Sequence, residues 1–256
     1  MKTGLLLQMV VLNTLGLGLA LGTDWYLVGF ILCFSGSGIV VAHLLIPHWQ
    51  GVCEVIHRFD ARGKSVWLTI DDGPDPEDTP RVLALLERYQ AKATFFMIGA
   101  RAEKYPELVC RVIAAGHTIG THTHSHPMAT YWCAGPQRVA DELDRSLAAL
   151  AVSQTPIALY RSPVGIKNLF LQRALRERGL RCVAWTIRSG DGLGRNPQKI
   201  INRVRHQLRP GAIILMHEGP RVASTVRITA LEGVLEAIKT QGYRCVIPEL
   251  AKACAR

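Results

Sequence analysis

Apolar positions follow two regimes along this chain. In the first fifty residues they cover every face: the run 4–21 has only Gln8, Asn13 and Thr14 as polar members, and 25–46 forms a second run. Each is near the length a bilayer span requires. Gly22-Thr23-Asp24 supplies a short turn between them, and Trp25 and Tyr26 follow at interface depth. The pattern predicts a transmembrane helical hairpin over 1–50. A cleaved signal peptide is the competing reading, but Lys2 is the only early positive charge and a second long apolar segment follows. A pair of core helices is the third, and the rest of the chain builds a domain without them.

Beyond a linker at 51–64 the pattern alternates between short β-prone runs and amphipathic stretches. Strands are predicted near 65–70, 93–98, 117–121, 157–160, 181–186, 212–216 and 243–247. Helices are predicted over 79–90, 105–115, 136–150, 167–178, 197–208 and 222–240. Several carry Pro in the first turn and Gly just past the end, as at Gly116, Gly179 and Gly242. Such alternation specifies an α/β layer architecture over 65–250, followed by a tail at 251–256. At 256 residues there is room for one catalytic domain and its anchor.

Candidate chemistry falls at the predicted strand ends. The run Val66-Trp67-Leu68-Thr69-Ile70 leads into Asp71 and Asp72, and Gly73-Pro74-Asp75-Pro76 then forces a turn. Adjacent strand residues point to opposite faces, so two neighbouring aspartates in one site need an irregular strand end. One of them can bind a cation while the other stays free to take a proton from water. Some fifty residues later comes His122-Thr123-His124-Ser125-His126-Pro127. The i, i+4 spacing of His122 and His126 unites two imidazoles if the segment makes one helical turn. Zinc favours two such nitrogens with a carboxylate and an open position. His124, between them, is read as a solvent-facing or supporting residue and His117 as structural. A surface turn and an ordinary His-rich loop are the bland alternatives, and their coincidence in one chain disfavours both.

At this point the chain resembles the polysaccharide deacetylases, carbohydrate esterase family four, from about residue 65 to 248 through five ordered motifs. Thr69-Ile70-Asp71-Asp72-Gly73-Pro74 matches the first, which implies Asp71 as general base and Asp72 as metal ligand. His122-Thr123-His124-Ser125-His126 matches the second and implies His122 and His126 as the other ligands. Arg161-Ser162-Pro163-Val164-Gly165 fits the looser form of the third, giving a groove wall with Pro163 and an arginine that holds the base carboxylate. Lys92 is a second candidate for that last role. The fourth, Trp185 followed by Asp191, implies a substrate-binding tryptophan and a partner for a catalytic histidine; Gly192 stands where many members have another tryptophan. The fifth, Leu215-Met216-His217, implies Leu215 lining an acyl pocket and His217 as general acid. The resemblance implies a distorted, incomplete (β/α) barrel of about seven strands and metal-dependent removal of an N-acyl, chiefly N-acetyl, group from a sugar. Zinc is the first expectation, and cobalt, nickel or manganese suit the same donors.

Charge and topology narrow the setting. Lys2 precedes the first apolar run, Arg58, Arg62 and Lys64 follow the second, and the turn between carries only Asp24. Positive-inside reasoning then puts the catalytic domain on the cytoplasmic side of a bacterial inner membrane; with a single span it would face the periplasm. A net charge of +10 favours membrane lipid or a phosphorylated substrate. No basic-aromatic module points to nucleic acid, and each arginine by itself reads as part of a solvated helix face. Cysteines 33, 53, 110, 133, 182, 245 and 254 show no regular spacing and suit reduced thiols. The expected partners are an N-acylated envelope glycan or lipid-linked glycan precursor and membrane lipid. The alternatives are a periplasmic peptidoglycan or exopolysaccharide deacetylase and an inactive, membrane-tethered glycan-binding relative.

Overall fold

The computed structural model describes residues 2–251; residues 252–256, with Cys254 and most of the expected tail, lie outside that range. Two antiparallel apolar helices come first, α1 (Thr3–Gly22) and α2 (Tyr26–Leu45). They approach closely where side chains are absent. A Cβ on Gly16 would lie 2.6 Å from the Gly29 carbonyl oxygen, and one on Gly29 would lie 2.4 Å from the Ala20 nitrogen. Small residues at such crossings let backbones pack without a large side-chain interface. Both helices are long and apolar enough to cross a membrane, and only 11% and 17% of their most apolar windows are buried, so they are not core helices of the domain that follows.

That domain runs β1 (Val55–Ile56), β2 (Ser65–Asp71), α3 (Asp78–Arg88), β3 (Ala93–Met97), α4 (Gly99–Lys104), α5 (Pro106–Ala114) and β4 (Thr118–Thr121). It continues through α6 (Pro136–Leu150), β5 (Leu159–Tyr160), α7 (Leu171–Glu177), β6 (Arg181–Val183), β7 (Ile187–Arg188), α8 (Pro197–Gln207), β8 (Ile213–His217), α9 (Ser224–Thr240) and β9 (Arg244–Cys245). The strands form one curled sheet in the order β1-β6-β5-β4-β3-β2-β8-β7, with β9 beside β2. Every strand pairing in it is parallel. This is the expected incomplete (β/α) barrel, with nine strands among the described residues rather than about seven. The two that the hydrophobic pattern misses are β1, inside the expected linker, and β7, directly beyond the strand expected at 181–186.

The strand period of two assigns the faces. Val66, Leu68 and Ile70 of β2, Phe95 and Met97 of β3, and Ile214 and Met216 of β8 pack outward with Val82, Leu86, Val204 and Val234 of the surrounding helices. The alternate residues point into the curl. There the Trp67 indole donates to Thr94 Oγ1 at 2.8 Å, the Thr69 hydroxyl donates to the Ile214 carbonyl at 2.7 Å, and Phe96, Leu159, Val183 and Ile213 fill the remaining space. β2 is buried on both faces along its whole length, as expected of a central parallel strand. The inward series 67, 69, 71 of β2 and 213, 215, 217 of β8 therefore delivers Asp71 and His217 to the carboxyl rim.

The end of α2 is fastened to this domain. The Lys167 backbone N–H donates to the Leu44 carbonyl, and its ammonium donates to the carbonyls of Ile46 at 2.6 Å and Pro47 at 3.1 Å. Burial lowers the pKa of this ammonium, and its donation to helix-end carbonyls satisfies groups that otherwise lack partners. Pro47 packs on Gly165, whose φ of +77° and close neighbours Pro47 and Trp185 leave no space for a Cβ.

Candidate active site

Register places two chemical groups side by side: Asp71 and His217 are Cα partners across β2 and β8. The chain then breaks from strand geometry. Asp72 has φ of +73°, the left-handed conformation that lets two adjacent aspartates face one site. His122 leaves the end of β4, and the segment 122–126 makes no helical turn; left-handed Thr123 and His126 bend it instead. The imidazoles of His122 and His126 thus come to a centroid separation of 4.8 Å by a route other than the predicted helix. Glu142 of α6 holds the bend by accepting from the His124 and Ser125 backbone N–H groups at 2.9 and 2.8 Å.

Donor atoms of Asp72, His122 and His126 lie within 4.8 Å of one another. Asp72 Oδ1 is 3.5 Å from His122 Nε2 and 3.3 Å from His126 Nε2, and it has no hydrogen-bond partner among the described residues. His122 Nδ1 lies 2.8 Å from the Arg161 carbonyl oxygen, which fixes the N–H on that side and leaves the Nε2 lone pair facing Asp72. Burial, aided by the charges of its neighbours, takes His126 down to about 3, so its ring is neutral. Burial alone would raise the Asp72 carboxyl, but its contact with His122 and the charge of nearby His217 help to outweigh it and hold the group well below the usual carboxylate range. An ionised carboxylate with an unpartnered oxygen and two imidazole lone pairs fits a divalent cation.

Arg161 is fully buried inside the curl, and its guanidinium donates to Asp71 Oδ1 and Thr69 Oγ1, each at 2.7 Å. Its other nitrogens donate to the carbonyls of Val183 and Ala184, and its plane stacks 4.2 Å from the Phe96 ring centroid. Lys92 is elsewhere: its ammonium donates to the Ala115 carbonyl at the far end of β3. On the other side of Asp71, His217 Nδ1 is 2.7 Å from Asp191 Oδ1, and Asp191 Oδ2 accepts the His217 backbone N–H at 2.7 Å. Burial opposes charge on His217, yet Asp191, with Asp71 and Asp72 behind it, raises its pKa to about 9. The ring carries its proton at neutral pH, with Nε2 left for the cleft.

Asp71, Asp72, His122, His126 and His217 line an open cleft of about 310 Å³ together with Trp185, Leu215 and Val164, while Arg161 and Asp191 lie buried behind it. Pro163 is buried, and Val164 is the residue of that turn that reaches the cleft. Gly192 lies against His217: a Cβ there would stand 3.3 Å from the ring. His124 is buried, not solvent-facing, with Nε2 2.6 Å from the Arg145 guanidinium, and His117 is buried with its ring 5.6 Å from that of Phe95.

Several functional neighbours carry no motif signal. Glu218 follows His217, its backbone N–H donates to the Asp71 carbonyl, and its carboxyl accepts from the Thr79 hydroxyl at 2.7 Å. Burial raises this carboxyl to about 8, and it sits so close to Gly73 that no side chain fits there. Asp78, at the start of α3, accepts from the Gly219 N–H at 2.9 Å and from Arg227 Nε at 2.6 Å, tying down the loop after His217. Arg188, Arg203 and Arg221 also line the cleft. Neither spacing nor composition marks these residues, because each arrives from a different element.

A curled, all-parallel sheet with its polar groups gathered at the carboxyl rim is the architecture of the family 4 carbohydrate esterases. The family 4 carbohydrate esterase from Streptomyces lividans, solved in complex with acetate, matches with TM-score 0.67 and 28% identity over 76% of this chain and 99% of that one. The chain belongs to the polysaccharide deacetylase family, whose model matches residues 59–183. Among curated relatives, a peptidoglycan-N-acetylglucosamine deacetylase of Bacillus cereus is 37% identical over 185 residues, 72% of this chain and 85% of the relative. A chitooligosaccharide deacetylase of Bradyrhizobium sp. is 37% identical over 159 residues, 61% of this chain and 71% of the relative.

Proposed function

We propose that the protein is a metal-dependent N-deacylase, tethered to the bacterial inner membrane by the α1–α2 hairpin, that removes an N-acetyl group from a sugar of an envelope glycan or its lipid-linked precursor. The observation that carries this reading is the pairing of Asp71 with His217 across two strands, beside a cluster of Asp72, His122 and His126 whose donors converge. Zinc held by those three residues would supply Lewis acidity toward the amide carbonyl. Asp71, held in place by the Arg161 guanidinium, accepts a proton as water adds to that carbonyl. His217, charged and oriented by Asp191, donates a proton to the departing nitrogen, so the C–N bond breaks to acetate and a free amine. Leu215 and Trp185 pack around the acyl group and sugar. The lysines and arginines flanking the hairpin support a catalytic domain on the cytoplasmic side.

The test is acetate release by the purified full chain, loaded with zinc, from a panel of N-acetylated oligosaccharides and glycolipids. Release that disappears in Asp71→Asn while bound zinc is retained supports the assignment. No release from any amide would leave the fold a glycan-binding relative, and loss of metal with Asp71→Asn would overturn the division of roles between the two aspartates. A phosphatase fused to the C-terminus checks sidedness, since activity in intact cells requires an exported end.

A further inference from the structure

Three arginines line the cleft, and none has a carboxylate partner among the described residues. Arg188 comes from β7, Arg203 from α8 and Arg221 from the loop between β8 and α9. Other arginines on the surface do meet acids, as Arg88 meets Glu232, Arg173 Glu177 and Arg176 Glu54. At the cleft, Arg203 Nη1 makes only a long contact of 3.4 Å to the Ser189 carbonyl, and Arg221 Nη2 rests 2.9 Å from Met128 Sδ. Backbone geometry makes room for this placement. Gly190 has φ of +84°, and a Cβ there would lie 2.1 Å from Arg203 Nη1. An adjoining hollow, sharing Gly190 and Arg203, adds Arg195 and Lys199. Gathering like charges at one rim is unfavourable unless an anion joins them, and such a rim raises the local concentration of anionic ligands.

The second observation is the position of the hairpin. Pro47, just past α2, touches Gly165, and Trp185 beside it lines the cleft. If α2 leaves the bilayer at its carboxyl end, as the proposed function holds, the cleft mouth stands at headgroup level, where a lipid-linked sugar carries its phosphate. Leu193, 78% exposed on the cleft rim, offers an apolar contact beside the basic groups.

Resting on the deacylase reading, we infer that Arg188, Arg203 and Arg221 form a phosphate subsite, so that the substrate is an N-acylated sugar bearing a phosphoryl group. Guanidinium forks suit phosphate oxygens, and three of them can be met by the several oxygens of a phosphoryl group where a carboxylate offers only two.

Four probes test this on the zinc-loaded full chain in detergent: N-acetylglucosamine 1-phosphate, its diester with a short prenol, N-acetylchitotriose, and an N-acetylmuramyl oligosaccharide carrying a carboxylate. The phosphorylated probes should be preferred, and R188Q, R203Q and R221Q should each lower the ratio of kcat/KM for phosphorylated over neutral substrate by about five- to tenfold. Preference for the prenyl diester over the free sugar phosphate identifies the lipid headgroup as the source, and equal use identifies the free sugar phosphate; both support the subsite. Equal losses on all probes, no loss, or preference for the muramyl carboxylate overturn it. Calorimetric binding of N-acetylglucosamine 1-phosphate to the Asp71→Asn chain separates the two readings. Binding that R203Q abolishes keeps the subsite even if no acetate is ever released, and absence of binding removes it even if N-acetylchitotriose is deacetylated.

Discussion

Asp71 and His217 are each held by one buried charged neighbour. Arg161 meets Asp71 at 2.7 Å in a buried setting, and Asp191 meets His217 at the same distance. Replacing Asp71 by Asn removes the proton acceptor and should lower kcat by about 10²–10⁴ with metal content unchanged, as read by acetate release and metal analysis. Burial lowers the His217 pKa and Asp191 more than restores it, to about 9. Asp191→Asn should therefore move the alkaline limb of the pH–rate profile to lower pH; an unmoved limb would remove His217 as the acid. The site's motif residues were legible because each sits at a strand end within a short stretch of sequence. Glu218, Asp78 and the cleft arginines were not, since their meaning arises only when separate elements converge.

Among elements, the long apolar runs of β2, β3 and β8 announced themselves as strands, whereas β1, β7 and the six-residue α4 escaped the pattern. The segment 122–126 shows spacing misread as conformation: His residues four apart met through left-handed backbone at Thr123 and His126. Element packing also sets where change is tolerated. Gly165→Ala would combine a φ of +77° with a Cβ 2.5 Å from Pro47, and a loss of about 1–3 kcal/mol should appear as a lower melting temperature. Lys167→Met leaves the carbonyls of Ile46 and Pro47 without their donor, at a cost of about 1–3 kcal/mol. Faster hydrogen exchange around 44–51 and 163–167 would report it.

For the whole molecule, stability should peak between acid and alkaline losses. His117 is held neutral by burial, its pKa lowered from 6.5 to about 4. Its contribution is complete above pH 6.5 and is lost as pH falls toward 4. His217 is raised from 6.5 to about 9, so its contribution is complete below pH 6.5 and lost as pH climbs through 9. Glu218, raised from 4.5 to about 8 by burial, adds a loss between those values. Melting temperature against pH should fall on both flanks, and a His217→Gln chain should show a shallower alkaline decline. Chelation should lower the melting temperature of the zinc-loaded chain, because a ligand that binds only the native state stabilises it by mass action.

The Lys167 fastening bears on how the chain can be divided. Removing residues 1–50 to obtain a water-soluble fragment would take away the Pro47 contact on Gly165 and the carbonyls that hold the buried Lys167 ammonium, so the excised barrel would lose part of the scaffold behind its own doorway. The helical pair and the barrel are thus one mechanical unit, and with the pair in lipid, as proposed, its orientation would aim the doorway itself.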